Sequence, residues 1–292
     1  ERVVVLCADL AESTRAEWFQ KKFPTRYIEL GVAEQNLAAV GSGMANYGKI
    51  PFITSYAAFS PGRNNEQIRT TISLNNVPVK VCGMHAGVSV GPDGATHQAL
   101  EDIGLMRMQP NMVGIVPADA EEARKATYAA AFNEKPTYLR FAREKSPIMT
   151  TAETPFEIGK AYTLWESESP QVALVGCGQL LHEVLLAAKE LEEKGVRTMV
   201  VNMHTIKPLD GKMLSDIASK VGKVVTVEEH QAAGGLGSAV AEFLSEHMPV
   251  PIEMVAVRDR FGQSGTPTEL YREYGLDRAA IVAAVQKILK RG

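Results

Sequence analysis

The sequence predicts an α/β protein with two doubly wound domains, the first with a mostly parallel sheet and the second smaller. The chain has 292 residues, more than the roughly 100–200 residues of an ordinary domain, so two domains are expected. Short β-branched runs alternate with helix-length segments, which is the pattern of βαβ units. A stretch punctuated by prolines interrupts this alternation, so we predict a first domain at 1–145, a linker at 146–164 and a second domain at 165–292.

In the first domain, β-branched runs predict strands, and the longer segments between them predict helices. The predicted strands are 2–7, 26–29, 51–54, 78–84, 112–116 and 137–141. The predicted helices are 32–46, 64–74, 97–106 and 119–132. The last of these helices starts at Asp119 with Glu122 three residues later, an arrangement typical of a capping box.

The same alternation resumes after the linker and predicts a second sheet with its own helices. The predicted strands are 171–177, 197–202, 223–228 and 252–257. The predicted helices are 182–194, 211–221, 235–247 and 278–290.

Composition excludes several classes of protein. The net charge of −3 and the lack of a dense basic face argue against a nucleic-acid partner. No apolar run approaches the roughly 20 residues of a membrane span, so we expect no membrane contact. No signal peptide is visible, although a removed leader stays open because the sequence starts at Glu1. Cys7, Cys82 and Cys177 lie far apart in apolar segments, which is typical of reduced thiols in a cytoplasmic protein. The histidines are scattered, so we predict no metal site made by this chain alone.

Glu34 stands in the first turn of the predicted helix 32–46, whose following residues are mostly small. A carboxylate at this place can simply be a favourable charge at a helix N-terminus, contributing about 0.3–1 kcal/mol. The small side chains also allow close packing against another helix. The residues alone leave both a structural and a functional role for Glu34 open.

The segment 84–98 is the strongest candidate for a site. It follows a predicted buried strand, is rich in glycine, and carries His85, Asp93 and His97. Glycines let the backbone approach a ligand, and loops at the carboxyl ends of parallel strands are where ligands bind. The alternative is a surface turn with incidental polar residues.

Arg140 lies near the end of the predicted strand 137–141, and Arg143 lies two residues beyond that strand. A guanidinium there can hold a phosphate or carboxylate with two parallel hydrogen bonds. An ordinary salt bridge is the alternative, and the sequence does not decide between them.

Together these motifs resemble the carboxyl-terminal half of the transketolase family, over essentially the whole chain. GVAEQNLAAVGSGMANYGKIPF, at 31–52, resembles the helix that carries the family's catalytic glutamate. HAGVSVGPDGATHQALEDIGLMR, at 85–107, resembles the transketolase active-site segment. The resemblance makes 1–145 the thiamine diphosphate pyrimidine-binding domain and 165–292 the transketolase C-terminal domain. It implies transketolase activity in the cytoplasm, transferring a two-carbon ketol unit from a ketose phosphate to an aldose phosphate in the pentose phosphate pathway.

The resemblance also implies roles for single residues. Glu34 would be catalytic and hydrogen-bond the N1′ nitrogen of the cofactor's aminopyrimidine, which is acid–base work through the ring. Phe59 and Tyr56 would stack on and flank that ring, and Asp9 would lie beside the thiazolium. The segment 59–63 departs from the long-chain transketolases, so Arg63 receives no role.

The remaining implied residues face the substrate. Ser13, His85 and Arg143 would bind the substrate phosphate. Asp93 and His97 would lie near the sugar hydroxyls and the reacting carbonyl, with His97 counted as catalytic.

One family motif is missing. Transketolases hold the cofactor diphosphate and Mg²⁺ with a Gly-Asp-Gly motif, and this chain contains none. The resemblance therefore implies half of a thiamine diphosphate site. An N-terminal transketolase subunit would supply the Mg²⁺ ligands, in a heterotetramer of two long and two short chains.

Three alternatives stay open. Deoxyxylulose-phosphate synthase shares the AEQ and DGxTHQ patterns but is normally one long chain. The β subunit of a 2-oxoacid dehydrogenase decarboxylase is also a half-site chain but lacks Asp-Gly-x-Thr-His. A non-catalytic regulatory relative would be expected to lose Glu34, Phe59 or the paired histidines, and all of them are present.

Overall fold

The computed structural model describes residues 1–291 and contains two α/β sheets with helices packed around them. This confirms the predicted fold class. With strands numbered in chain order, the first sheet has the order β10 (Thr205–Lys207), β5 (Val113–Ile115), β6 (Thr137–Arg140), β4 (Lys80–Met84), β3 (Ile50–Tyr56), β1 (Val3–Cys7) and β2 (Tyr27–Glu29). The second sheet has the order β12 (Ile252–Val257), β11 (Val224–Gln231), β8 (Val172–Gly176), β9 (Thr198–Asn202) and β7 (Tyr162–Glu166).

The first sheet is parallel throughout the strands contributed by the first half of the chain. These strands are β1 (Val3–Cys7), β2 (Tyr27–Glu29), β3 (Ile50–Tyr56), β4 (Lys80–Met84), β5 (Val113–Ile115) and β6 (Thr137–Arg140). The helices are α1 (Ala16–Lys22), α2 (Glu34–Asn46), α3 (Asn65–Gln67), α4 (Asp102–Arg107) and α5 (Ala120–Phe132). A π-helical segment, Ile68–Ser73, directly continues α3.

The second sheet is also mostly parallel, with β7 antiparallel at one edge. Its strands are β7 (Tyr162–Glu166), β8 (Val172–Gly176), β9 (Thr198–Asn202), β11 (Val224–Gln231) and β12 (Ile252–Val257). The helices are α6 (Leu181–Glu193), α7 (Gly211–Lys220), α8 (Leu236–His247), α9 (Pro267–Glu273) and α10 (Arg278–Leu289).

Both sheets are buried on two faces, as expected for parallel strands covered by helices. Successive side chains of a strand point to opposite faces. Val81 and Cys82 of β4 accordingly belong to different apolar clusters, and so do Leu174 and Val175 of β8. Cys7, Cys82 and Cys177 are free and buried, as the sequence predicts.

A short strand from the second half of the chain extends the first sheet. Strand β10 (Thr205–Lys207) pairs antiparallel with β5, with Thr205 opposite Ile115. The two halves of the chain are therefore joined through shared backbone hydrogen bonds as well as side-chain contacts.

Some elements differ from the sequence prediction. Strand β7 was not predicted, and the proposed boundary at 165 falls within it; its residues alternate between partly buried and exposed, so they form no apolar run. Helices α1 and α9, with seven residues each, and strand β10, with three, were also not predicted. The predicted helix 97–106 begins only at Asp102, because the backbone before it forms turns.

The predicted helix cap at Asp119 is present. Its Oδ1 accepts the N–H of Glu122 at 2.9 Å, and Glu122 in turn accepts the N–H of Ala118 at 2.6 Å. Of the helices described between residues 1 and 291, none has the length and apolarity needed to cross a membrane.

Candidate functional site

The candidate site lies at one edge of the first sheet. Parallel strands end together, so the loops that follow β1, β3, β4 and β6 meet at their carboxyl ends. The strand register places Cys7 beside Thr54, and Tyr56 beside Met84. The predicted site residues follow these strand ends and therefore lie on neighbouring loops.

Glu34 is the first residue of α2, and its side chain is only 1% exposed. Its Oε2 accepts a hydrogen bond from Arg63 Nη1 at 2.7 Å, and Ser55 Oγ lies 3.4 Å from Oε1. The amide of Asn64 donates to the Glu34 carbonyl oxygen at 2.9 Å, which fixes the start of the helix. A carboxylate this deeply buried differs from the solvated helix-end charge that was the structural alternative.

An aromatic wall lies beside this carboxylate. Tyr56 ends β3, and its ring lies 6.1 Å from that of Phe59, with the two planes 16° apart. The Arg63 guanidinium lies 4.9 Å from the centre of the Phe59 ring, so Arg63 contacts both Phe59 and Glu34.

Sequence reasoning gave Arg63 no role, and the structure places it at the centre of the candidate site. The available signal was its position one turn after Phe59, whose carbonyl accepts the Arg63 N–H at 2.9 Å.

The two predicted histidines pack against this aromatic wall. The His85 ring stacks on Tyr56 at 4.0 Å, and the His97 ring meets Phe59 edge-on at 5.3 Å. His97 Nδ1 lies 2.8 Å from the Thr96 hydroxyl. His85 has a positive φ of 53°, a conformation that costs a non-glycine residue energy and that is often found at functional sites.

His85 is held in its neutral form. Burial lowers the pKa of its imidazole to about 4, and the positive charge of Arg143 adds to the effect. Its Nδ1 is buried and has no hydrogen-bond partner among residues 1–291. A neutral imidazole with a free ring nitrogen can donate to or accept from a ligand.

The structure separates the two arginines that the sequence left undecided. Arg140 is buried, and its Nε donates to Asp102 Oδ2 at 2.7 Å. Arg143 is partly exposed; its Nη1 donates to the Val90 carbonyl at 2.6 Å and lies 3.6 Å from Asp93 Oδ1. Of Arg140 and Arg143, only Arg143 is therefore accessible to a ligand at the sheet edge.

Asp9 and Ser13 lie at the same edge but stand apart from the aromatic wall. Both are exposed on the turn after β1, where the N–H of Asp9 donates to Glu29 Oε1 at 2.7 Å. Among residues 1–291, no hydrogen bond or ion pair joins either side chain to the other predicted site residues. Arg15, on the same turn, contributes to the lowered pKa of His85.

Within the described chain, no group of three or more His, Cys, Asp or Glu side chains is arranged to hold a metal ion. The residues that cluster are instead one buried carboxylate, an aromatic wall, two histidines and an accessible arginine. This combination suits a flat, nitrogen-containing ring and an anionic substrate.

Comparison with known families identifies the chain. The family described as "Transketolase, pyrimidine binding domain" matches residues 1–148, and "Transketolase, C-terminal domain" matches residues 159–281. The chain belongs to the transketolase family. The resemblance predicted from the sequence is confirmed.

Individual relatives agree with this family. A Methanocaldococcus jannaschii protein described as a transketolase C-terminal section is 38% identical, over 100% of this chain and 92% of its own length. The 6-deoxy-6-sulfo-D-fructose transketolase subunit of Clostridium sp. (strain MSTE9) is 36% identical, over 100% and 90%. A solved structure described as "Split gene transketolase, inactive beta4 tetramer" is 44% identical, with a TM-score of 0.91 over 99% of this chain and 92% of that one.

Proposed function

We propose that this chain is the C-terminal subunit of a two-component transketolase and supplies the pyrimidine half of a thiamine diphosphate site. The observation that carries the proposal is the buried Glu34 carboxylate beside the Phe59 and Tyr56 rings. The reaction is the transfer of a two-carbon ketol unit from a ketose phosphate to an aldose phosphate, as in the pentose phosphate pathway.

The residues present fit an aminopyrimidine ring. Such a ring needs a flat apolar wall and a hydrogen-bonding group in its plane, and Phe59 with Glu34 provides both. The planar Arg63 guanidinium already makes this pair of contacts, donating to Glu34 and lying over Phe59, so the geometry accepts a flat donor group.

Each residue then has a task. Thiamine diphosphate, when bound, supplies the carbon nucleophile for ketol transfer. Glu34 holds a proton between its carboxyl oxygen and the ring nitrogen N1′, which is general acid–base work. Phe59 and Tyr56 would exclude water from the ring, and Asp9, on the turn after β1, would lie toward the thiazolium. His97, held by Thr96, orients the reacting carbonyl together with Asp93.

The anionic end of the substrate is bound by Arg143, His85 and Ser13. Arg143 presents a planar fork of donors at the sheet edge, which matches the geometry of a phosphate. His85 contributes its unpartnered ring nitrogen without a competing charge, because its pKa is lowered to about 4.

The cofactor diphosphate and Mg²⁺ would be held by an N-terminal transketolase subunit. This chain contains no Gly-Asp-Gly sequence, which is the family's motif for that task. Relatives described as a C-terminal section, a subunit and a split-gene transketolase support a divided enzyme. We propose a heterotetramer of two long and two short chains in the cytoplasm, where free buried cysteines are usual.

A second candidate differs only in the substrate. The relative from Clostridium sp. is a 6-deoxy-6-sulfo-D-fructose transketolase subunit that aligns over the whole of this chain. A sulfonate and a phosphate both present oxygens to a guanidinium, so the same Arg143 end of the site could take either group.

The test is reconstitution with the N-terminal subunit that co-purifies with this chain, followed by a two-carbon transfer assay. We expect transfer from a ketose phosphate to an aldose phosphate. Transfer only from a sulfonated ketose would favour the second candidate, and no transfer from either would contradict the function.

The isolated chain tests the half-site directly. We expect weak binding of thiamine diphosphate and no transketolase activity, because the diphosphate and Mg²⁺ ligands are in the other subunit. Isothermal titration calorimetry with and without Mg²⁺ measures this. Tight, Mg²⁺-dependent binding by the isolated chain would contradict a divided site.

A further inference from the structure

The loop at 87–94, which we call the substrate loop, connects His85 to His97 and lies between the two domains. Its backbone is held from the first domain, where the Gly87 N–H donates to the Ala99 carbonyl at 2.9 Å. It is also held from the second domain, where the Ser89 N–H donates to Glu229 Oε1 at 2.5 Å, across 140 positions of sequence.

Glu229 lies on β11 and is 4% exposed. Its second oxygen, Oε2, lies 3.2 Å from Gln179 Nε2 and 3.4 Å from Tyr271 Oη. Its backbone carbonyl accepts Arg140 Nη2 at 2.8 Å. The carboxylate is therefore fixed by residues of the second domain on one side while it holds the substrate loop on the other.

The loop backbone at Gly87 packs directly against the Glu229 carboxylate, so a larger residue does not fit at position 87. A side chain at Gly87 would collide with the Glu229 carboxylate, and Gly87 has a positive φ of 91° that suits glycine. Gln179 Nε2 also lies 2.6 Å from Ser89 Oγ, so two polar groups of the second domain meet the same loop residue.

Gln98, four residues beyond the loop, provides a further link to the second domain. Gln98 Nε2 lies within hydrogen-bond distance of the carbonyls of Val88, Gly91 and Gln263, at 3.0, 3.2 and 3.0 Å. Gln263 belongs to the second domain. The second domain therefore holds the loop directly at Ser89, and Gln98 links Val88 and Gly91 of the loop to Gln263. The second domain contains none of the predicted site residues.

We propose that Glu229 is a positioning residue that holds the substrate loop so that the His85 and His97 rings lie against Tyr56 and Phe59 and Asp93 lies beside Arg143. Glu229 Oε1 accepts the Ser89 N–H and Oε2 faces two further donors, so the side chain cannot turn away from the loop without losing these hydrogen bonds. The second domain would thereby set the substrate geometry without touching the substrate. This inference rests on the proposed transketolase function for its catalytic consequence, but not for the position of the loop.

The test compares Glu229→Gln with the matched control Glu228→Gln. Glu228 is the preceding residue of β11 and is equally buried, but its carboxylate accepts the N–H groups of Leu236 and Gly237, both at 2.7 Å, at the start of α8. Of these two carboxylates, only that of Glu229 accepts a hydrogen bond from the substrate loop.

The first measurement is hydrogen–deuterium exchange of the full chain. Both oxygens of Glu229 face hydrogen-bond donors, so in Glu229→Gln the amide nitrogen must face a donor whichever way the amide group is turned. We expect the amides at 87–94 to exchange about tenfold faster or more. In Glu228→Gln, the faster exchange should instead lie at the start of α8. Unchanged exchange of the substrate loop in Glu229→Gln would overturn the proposal.

The second measurement uses the reconstituted complex. We expect Glu229→Gln to raise the KM for the sugar acceptor by about tenfold with a smaller change in kcat, while Glu228→Gln leaves KM unchanged at a comparable loss of Tm. Equal KM changes in the two variants would mean that Glu229 acts on stability alone.

A third variant and the wild type separate the possible failures. If Glu229→Gln does not fold, Tyr271→Phe removes one donor to Glu229 and should accelerate loop exchange in the same direction but less; no acceleration would overturn the proposal. If the wild-type complex shows no two-carbon transfer, the proposed function fails, while loop exchange in the isolated chain still decides the role of Glu229.

Discussion

The candidate site and the contact between the two domains both bury carboxylates, but they differ in where the partners of those carboxylates lie. Glu34 is 1% exposed, yet its cationic partner Arg63 is 48% exposed at an open sheet edge. Asp102, at the contact between the domains, is also 1% exposed, and its partner Arg140 is only 7% exposed. The carboxylate of Asp102 accepts a further hydrogen bond from Tyr138 Oη at 2.6 Å.

The pairing of buried polar atoms also differs between Glu34 and Asp102. Beside the candidate site, His85 Nδ1, Asn64 Oδ1 and Asn65 Nδ2 are buried without a hydrogen-bond partner in the described chain. The side chains of Asp102, Arg140 and Glu229 all have partners within the chain. Buried polar groups are normally paired, so unpartnered atoms beside Glu34 leave room for hydrogen bonds to a ligand. The Asp102–Arg140–Glu229 network is paired within the chain, although Gln98 Oε1 and Asn202 Oδ1, which also lie between the domains, have no partner among residues 1–291. Changes at Glu34 should alter activity more than stability, and changes at the Asp102–Arg140 pair should alter stability first.

The largest effect is expected for Glu34→Gln in the reconstituted enzyme. Glutamine keeps the shape of the side chain but cannot hold and return a proton at N1′, so activity should fall about 10²–10⁴-fold. The Tm of the isolated chain should change little. Steady-state assays measure the activity, and thermal unfolding measures the Tm. Activity near that of the wild type would mean that Glu34 has only a structural role.

Asp102→Asn tests the other side of the comparison. Burial would raise the pKa of the Asp102 carboxyl, but Arg140 and the hydrogen bond from Tyr138 hold it below its usual range, so the ion pair is intact at neutral pH. Breaking a buried ion pair on one side costs about 3–5 kcal/mol of unfolding free energy. Urea unfolding of the isolated chain measures this loss.

The control for Asp102→Asn is Glu121→Gln, which removes the exposed Glu121–Arg124 ion pair on α5. We expect no resolved change in the urea midpoint for this variant, because exposed ion pairs contribute little. If the two variants shifted the midpoint equally, the domain contact would not depend on its buried charges.

Arg143→Ala should impair phosphorylated acceptors by about 10- to 150-fold in kcat/KM, the contribution of a hydrogen bond to a charged group. Short unphosphorylated acceptors such as glycolaldehyde should change little, because they have no phosphate to lose. The change should lie mainly in KM. Competition between the two kinds of acceptor in the reconstituted enzyme measures the difference.

Lys145→Ala is the matched control for Arg143→Ala. Lys145 is exposed two residues further along the chain and has no ion-pair partner among residues 1–291. Arg140 is unsuitable, because it is buried against Asp102 and its loss would destabilise the fold. Equal losses for both kinds of acceptor in Arg143→Ala would show that this residue holds a subunit contact instead of the phosphate.

The last effect concerns acid pH and is modest for each histidine. Burial lowers the pKa of His85 and of His204 to about 4, while an unfolded histidine titrates near 6.5. As the pH falls from 6.5 toward 4, the unfolded chain takes up protons that the folded chain does not, so stability decreases. Between neutral pH and pH 5, the free energy of unfolding should fall by about 2 kcal/mol for each histidine.

The variant His204→Gln isolates one of these histidines, since His204 is fully buried between the Phe156 and Tyr162 rings. Its urea midpoint should depend less on pH between 7 and 5 than that of the wild type. An unchanged pH dependence would mean that His204 is protonated in the folded chain.

The local pattern of the sequence determined most of the secondary structure and the place of the candidate site. The strand predicted at 252–257 is β12, and the helix predicted at 119–132 agrees with α5 and its Asp119 cap. The loop with His85 and His97 follows a buried strand, as predicted. These features depend on periodicity, capping and turn residues within a few positions, so the sequence alone carries them.

Only the tertiary structure decided the contacts between distant segments. Strand β10 joins the first sheet because the second half of the chain packs beside β5, and its three residues give no apolar run of their own. Arg63 meets Glu34, and Ser89 meets Glu229 across 140 positions, because sheet edges and domains come together in space. The free energy of such contacts depends on burial and on exact partner placement after folding, and neither is encoded in the neighbourhood of a single residue.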